Sequence, residues 1–374
     1  MSTSTAASTG GSAAAKARPA DRFFKSLSTI ATVSIMVILA GVAIFLIVRA
    51  LPAIMANWPT NPDLNKDFTA GFSSFWAYVG PLAFGTVWAS LIALILAAPV
   101  AIGIALFISH YSPRKLANAL GYVVDLLAAV PSVVFGLWGI FVMRPFLLPL
   151  QDWLNTYLGW IPFFGCEVTK TGSSILTAAI VLAVMVLPII TSISREIFLQ
   201  TPKLREEAAL ALGSTRWEMI KLAVFPYAGS GMLSAILLGL GRALGETMAI
   251  AMILSPSVIV SFFVLTEGQN SQTVASNIAL NFPIAEDLGR SALIGTGLIL
   301  FVISFAVNLL ARSIVNRKPK SSKADKSTSA ATPDSTDDAA VSPASLIHPD
   351  GDHGHVHARR PGSTGSASTE GAAK

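Results

Sequence analysis

Six apolar segments, each long enough to cross a lipid bilayer, limit the fold of this 374-residue chain more than any other feature. A spanning helix needs about 20 mostly apolar residues, and it must satisfy its backbone hydrogen bonds internally. Only 13% of the residues are charged and 53% are hydrophobic, which is not typical of a soluble domain. The sequence therefore predicts an all-α membrane protein. Its spans lie near residues 27–50, 81–109, 119–142, 173–194, 229–255 and 289–311.

Basic residues between these segments fall mainly on one side of the predicted membrane. Lys and Arg in short connections mark the cytoplasmic side of a membrane protein. That side holds both ends of the chain and the connection after the fourth span; its basic residues include Lys25, Arg114, Lys115, Arg195, Lys203, Arg205, Arg216, Lys221, Arg312 and Lys318. The other side carries little beyond Lys66, Arg144 and Lys170. The asymmetry predicts that both termini are cytoplasmic. The basic residues gather at the span ends, which argues against a nucleic-acid partner despite a net charge of +5.

Both ends of the chain differ in composition from the predicted transmembrane domain, residues 21–315. Residues 1–20 are rich in Ser, Thr, Ala and Gly, and residues 316–374 are rich in Ser, Ala, Asp, Pro and Lys. Such segments cannot bury enough apolar surface to fold, so we expect disordered tails. Alternating histidines near residue 355 could hold a divalent metal weakly, but nothing folds them into a closed ligand shell.

The longest charged stretch between two apolar segments covers residues 201–226, here called the elbow. Thr201 can cap a helix, Pro202 suits its first position, and Gly213 can end it with a positive φ angle. Residues 215–218 (TRWE) have the spacing of a capping box, which indicates that a second helix starts almost at once. The elbow is therefore predicted to be a helix, a sharp glycine corner and a second helix.

One face of the first elbow helix carries Leu204, Ala208 and Leu212, which are four residues apart. A short helix with an apolar stripe, held between two spans, could dock in a groove of a partner protein. The alternative interpretation is an amphipathic loop that only links the two spans.

The run GLGRALGET at residues 239–247 places two charges in the predicted fifth span. Arg242 lies about halfway along residues 229–255, so it is predicted to lie near the bilayer midplane, where it must face protein or water. Glu246 follows by four residues and would share its helix face. The planar fork of an arginine meets two oxygens of a tetrahedral anion, which favours a pathway for a small oxyanion. A buried structural ion pair is the alternative.

Small residues repeat at four-residue spacing in the same span. Gly231, Ala235 and Gly239 form one stripe, and Gly241, Gly245 and Ala249 form another. Such stripes allow neighbouring membrane helices to approach closely. Each is predicted to pack against another helix.

The sequence lacks the signatures of a chain that performs catalysis alone. It contains no GxxxxGK[ST] phosphate-binding loop, no nucleophile elbow and no metal-ligand spacing outside the histidine tail. Its one cysteine, Cys166, cannot form an intramolecular disulfide. If ATP drives the protein, the ATPase is a separate chain and the elbow is its natural contact.

Four motifs together resemble a known transporter family. Residues Glu207, Ala208, Ala209, Gly213 and Pro226 are similar to the EAA loop of ABC importer permeases, with Ala223 and Phe225 departing from the usual Ile and Leu. The runs PSVVFGLWG (131–139), VLPIITSISRE (186–196) and GRALGETMA (241–249) resemble the permeases of bacterial phosphate-specific ABC transporters.

This resemblance implies a type I importer permease with the MetI-like fold in a bacterial plasma membrane. Its implied partners are a second permease subunit, two ATP-binding subunits that carry ATP and Mg²⁺, an extracytoplasmic phosphate-binding protein and membrane lipid. It implies a transport role for Arg242 and Glu246, and ATPase coupling through Glu207, Ala208, Ala209 and Gly213. The chain itself is expected to bind no cofactor.

Three alternatives remain open on the sequence alone. A permease of the same superfamily could carry sulfate, molybdate or another oxyanion. A secondary transporter or channel should show inverted repeats with broken helices, and no convincing internal repeat is present. A scaffold that reports phosphate status to a signalling partner remains possible as an additional role.

Overall fold

The structure, a computed structural model, describes residues 19–64, 67–254, 257–266 and 271–316. Every regular secondary-structure element within them is a helix. The two tails predicted to be disordered, including the histidine-containing one, lie almost entirely outside the described residues. In chain order the α-helices are α1 Pro19–Met55, α2 Phe75–Leu106, α3 Arg114–Ala128, α4 Ser132–Trp138, α5 Arg144–Leu158, α6 Ile175–Leu199, α7 Lys203–Ala211, α8 Arg216–Met219, α9 Phe225–Leu244, α10 Met248–Ile253, α11 Val274–Asn281 and α12 Asp287–Asn316.

The prediction of six membrane-spanning helices is confirmed. Two π-helical segments, Gly139–Met143 and Ile220–Val224, join neighbouring helices into one span, and a third, Phe107–Tyr111, extends the end of α2. With these joins, six helices of the described chain are long and apolar enough to cross a membrane: Phe23–Met55, Phe75–Tyr111, Ser132–Leu158, Ile175–Leu199, Arg216–Leu244 and Asp287–Leu310.

The third span differs from the predicted residues 119–142. That range joins the second half of the separate helix α3 to the first half of the true span, Ser132–Leu158. Pro131 separates them because it lacks a backbone N–H and disfavours helical geometry in the residue before it. It precedes α4 with a ψ angle of 138°.

The fifth span differs from the predicted residues 229–255. It begins inside the elbow at Arg216 and ends at Leu244, and α10 follows only after a break. The turn at residues 245–247 interrupts the backbone ladder, although the surrounding apolar sequence is continuous. Apolar content alone did not reveal this break.

Helix α6 is the centre of the bundle, and α9 packs closely against it. A Cβ atom on Gly231 would lie 2.8 Å from the Ile197 side chain, and one on Gly239 would lie 2.8 Å from both Ile190 and Val186. The predicted packing of this stripe is therefore confirmed. The stripe at Gly241, Gly245 and Ala249 does not form one helix face, because α9 ends before Gly245.

Candidate functional site

The break in the fifth span positions both charged residues of the GRALGE run. Helix α9 ends at Leu244, and the N–H of Gly245 still donates to the carbonyl of Gly241 at 3.3 Å. The chain then turns into α10. Two glycines near the break reduce the local helix propensity, since glycine is among the weakest helix formers. The result is a discontinuous helix of the kind that lines binding sites in transporters.

Arg242 lies in the last turn of α9 and Glu246 lies in the break itself, so their predicted common helix face is wrong. Glu246 is only 7% exposed, and its Oε1 accepts a hydrogen bond from the N–H of Ala249 at 3.2 Å at the start of α10. Arg242 lies in the last turn of α9 with an exposed side chain. No ion pair joins the two within the described residues. The estimate that Arg242 lies halfway along its span is also wrong, because the span ends two residues later.

A groove of about 590 Å³ opens beside Arg242 between α6, α9 and α12. Its floor is mostly aliphatic, and its polar groups come from α9 and α12. The lining residues are Ile189, Ser234, Leu237, Leu238, Gly241, Arg242, Asn308 and Arg312. The groove thus brings together a predicted pathway residue and a second arginine from the end of the chain's last described helix.

Arg144 ties α10 to the rest of the bundle. It lies in the third span, twelve residues after Ser132 and fourteen before Leu158. Its guanidinium donates to the carbonyl oxygens of Met252, at 3.0 Å, and Ile253, at the carboxyl end of α10. A cation there satisfies carbonyls that the helix leaves unpaired.

The same contact explains why a charge is tolerated within the third span. Arg144 also donates to Ser173 Oγ at 3.3 Å, and Ser173 donates to the Ile253 carbonyl. Charged residues inside a membrane protein pair with backbone carbonyls or with each other. The third span, the loop that leads into the fourth span and the end of α10 therefore meet at this point.

The elbow has the predicted geometry in its central part. Gly213 has a φ angle of +83°, and the Thr215 hydroxyl accepts from the N–H of Glu218 while the Glu218 carboxylate accepts from the N–H of Thr215. The predicted start of the first elbow helix is wrong. Pro202, not Thr201, occupies the capping position, and Thr201 is buried.

The outer face of the elbow is exposed and apolar. Leu204 and Leu212 are 77% and 90% exposed, while Glu207 and Ala208 are also exposed and Ala209 is half-buried. A groove of about 550 Å³ runs along this face; its lining residues are Arg205, Ala208, Ala209, Leu212, Gly213, Ser214, Leu222, Ala223 and Pro226. The structure thus gathers most of the EAA-type residues around one groove.

The inner face of α7 is held by a contact that the sequence did not reveal. His110 Nε2, at the end of the second span, lies 3.4 Å from Glu206 Oε1, and Ser109 Oγ lies 2.7 Å from His110 Nδ1. The His110 ring also packs edge-on against Phe198. The elbow is therefore tethered to the second and fourth spans.

We expect loss of this tether to weaken coupling between the elbow and its partner. Glu206→Gln or His110→Ala should lower transport-coupled ATP hydrolysis about two- to fivefold, because a partly exposed charged contact contributes at most about 1 kcal/mol. The rate is measured in the reconstituted complex. Glu196→Gln is the matched control, since Glu196 is exposed on the preceding helix. Equal rates in all variants would contradict the tether.

The contacts of Arg144 and His110, and the place of Arg312 in the groove, were not predicted from the sequence. The signal for Arg144 was an apolar run that continues on both of its sides, which marks an intramembrane charge. His110 and Arg312 had no local signal, because their neighbours in space are distant in the chain.

Comparison with known proteins places the chain in a transporter family. The model of the family described as "Binding-protein-dependent transport system inner membrane component" matches residues 97–319. The chain belongs to this family. It is a multi-pass membrane protein and a permease subunit, and ATP hydrolysis lies in partner subunits of such systems.

Several relatives carry a more specific name. The "Phosphate transport system permease protein PstC 2" of Mycobacterium bovis is 46% identical over 310 residues, covering 81% of this chain and 94% of the relative. The protein of the same name from Mycobacterium tuberculosis matches equally well. The "Phosphate transport system permease protein PstC" of Mycobacterium leprae is 43% identical, covering 79% of this chain and 93% of its own length.

A solved structure supports the fold alone. A chain of the bacterial alginate ABC transporter, crystallised with an alginate-bound periplasmic protein, matches with a TM-score of 0.52 at 15% identity. The match covers 80% of this chain and 95% of that one. The predicted type I ABC importer permease fold is therefore confirmed.

Proposed function

We propose that this chain is one of two permease subunits of an ATP-driven importer that carries inorganic phosphate across the bacterial plasma membrane. The observation that carries the proposal is the 46% identity, over 81% of the chain, to relatives named phosphate transport permeases. The geometry agrees with it. An exposed arginine at a helix break provides a contact for an oxyanion, and the elbow provides an exposed groove for a partner.

Arg242 is proposed to contact the passing anion, and Glu246 to hold the break in shape. The guanidinium presents paired N–H donors that match two oxygens of phosphate. Glu246 accepts from the first turn of α10, where a carboxylate is favoured by the helix dipole. Arg242 would thus contact the anion next to the break, and Glu246 would stabilise the shape of the break.

Glu207, Ala208, Ala209 and Gly213 are proposed to couple this chain to the ATPase. Leu204 and Leu212 present exposed apolar side chains beside them, which suit docking into a groove of a partner. The proposed partners are two ATP-binding subunits holding ATP and Mg²⁺, a second related permease and an extracytoplasmic phosphate-binding protein. No cofactor is assigned to this chain.

Reconstitution tests the proposed function. We expect liposomes that contain both permeases and the ATPase to take up phosphate only with ATP and the phosphate-loaded binding protein. This chain alone should carry none. Uptake of sulfate or molybdate in place of phosphate would assign another oxyanion, and ATP-independent flux through the chain alone would indicate a secondary transporter or channel.

Orientation is a separate prediction, based on the distribution of Lys and Arg. Both termini and the elbow are proposed to be cytoplasmic. A cysteine at the exposed Ala70 should react with a membrane-impermeant thiol reagent in intact cells. A cysteine at the exposed Lys203 should react only after the cells are permeabilised. The reverse labelling pattern would overturn the orientation and the coupling role of the elbow.

A further inference from the structure

The groove beside Arg242 holds more positive charge than one pathway residue supplies. Arg242 and Arg312 both line it, and none of its eight lining residues is acidic. Neither arginine has a hydrogen-bond or ion-pair partner within the part of the chain that the structure describes. Two guanidinium groups therefore face one open space without a compensating carboxylate.

The position of this groove in the bundle argues against lipid as its filling. Arg242 lies within the fifth candidate span, and Arg312 lies two residues beyond the end of the sixth, at Leu310. Charged side chains at membrane depth face the bundle interior or a water-filled cavity. The groove is consequently expected to open on water or on another protein chain.

The size and chemistry of the groove suit a hydrated anion. Its volume of about 590 Å³ far exceeds the ~30 Å³ that one water molecule occupies in the liquid. Asn308, one helical turn before Arg312, adds an exposed amide donor, whereas the exposed Ser234 hydroxyl donates to the Ser230 carbonyl of its own helix at 2.9 Å. A groove that is lined by two guanidinium groups and an amide, with no carboxylate among its lining residues, disfavours cations.

We propose that Arg312 and Asn308 form a second phosphate contact in this groove, which receives the anion after Arg242. The inference rests on the proposed phosphate import and extends it to a two-arginine transit site. Conduction requires that each contact is strong enough to bind and weak enough to release. Two separated arginines meet this need better than one deep site, and Arg312 lies at the end of α12 on the proposed cytoplasmic side.

The first test measures the electrostatic field of the groove in the assembled transporter. Cys166→Ser removes the native thiol, and Ser234→Cys adds one in the groove. A negatively charged methanethiosulfonate reagent should react about tenfold faster than a positively charged one, as expected for charge attraction at a partly hydrated site. Inorganic phosphate should slow that reaction. Arg312→Gln should abolish most of the preference and the protection, and Arg312→Lys should keep the preference.

The second test measures phosphate uptake by the same complex. Arg312→Gln should lower the uptake rate about tenfold, because it removes one of two charged contacts. Arg290→Gln is the matched control; Arg290 is exposed near the other end of α12 and does not line the groove, so its uptake and reagent preference should stay at wild-type values.

Each outcome decides the inference. An unchanged reagent preference in Arg312→Gln would overturn it, whatever happens to uptake. If Arg312→Gln fails to assemble, Arg312→Lys and phosphate protection of the wild-type groove decide instead. If the wild-type complex carries another oxyanion, the proposed function is wrong, but that oxyanion should then slow the thiol reaction in the groove. If no oxyanion slows the reaction, the groove proposal is overturned.

Discussion

Arg242→Gln is expected to lower phosphate uptake by about a hundredfold while the complex still assembles. Hydrogen bonds to charged groups contribute about 1.5–3 kcal/mol each, and the glutamine loses both the charge and the second prong of the guanidinium. Each 1.4 kcal/mol corresponds to a factor of ten. Arg242→Lys keeps the charge without the fork, so its uptake should fall between those of Arg242→Gln and the wild type. Initial uptake rates in proteoliposomes measure the effect.

The double variant Arg242→Met with Glu246→Gln separates a pathway role from a structural ion pair. If the two residues only balanced charge, the double variant would transport better than either single variant, because it leaves no unpaired buried charge. The structure gives them different surroundings: Glu246 is buried at the start of α10, and Arg242 is exposed.

We therefore expect the double variant to be as inactive as the Arg242 variant alone. Glu246→Gln should be milder, since glutamine can still accept from the N–H of Ala249 and loses only the interaction with the helix dipole, about 0.3–1 kcal/mol. Near wild-type uptake by a well-assembled double variant would falsify the pathway role.

Gly213→Val is expected to abolish most transport-coupled ATP hydrolysis while leaving membrane insertion intact. The φ angle of +83° is a left-handed conformation that costs an L-residue about 1–2 kcal/mol, and more for a β-branched one. A Cβ atom there would meet nothing within 4 Å, so the effect comes from backbone geometry alone. A changed corner would reorient the exposed face of α7, which is proposed to dock on the ATPase.

Asparagine at the same position provides the sharpest control. It adopts left-handed geometry more readily than other non-glycine residues, so Gly213→Asn should keep most of the coupled hydrolysis. Gly229→Ala tests a glycine in α9 that also has free space around it but has no positive φ, and it should behave as wild type. If Gly213→Val hydrolyses ATP normally in response to transport, the corner has no role in coupling.

Local patterns explain which features the sequence predicted. Six apolar runs, a glycine corner and a capping box each depend on residues within a few positions of one another, and the structure has all three. Boundaries were less accurate: the local effect of Pro131 on the start of the third span was missed, and distant contacts set where that span ends. The third span continues through Arg144 because carbonyls 108 and 109 residues away satisfy its charge.

The sequence by itself determined the membrane class, the number of spans and the helix–corner–helix of the elbow, because hydrophobic length and backbone caps act over short ranges. Only the tertiary structure decided where the fifth span breaks. It also decided that Arg242 and Glu246 have different surroundings, and that Arg312 lines the same groove as Arg242. It also paired His110 with Glu206 across 96 residues. Such groups meet only when whole helices pack, and packing depends on the complementary shapes of surfaces that are distant in the chain.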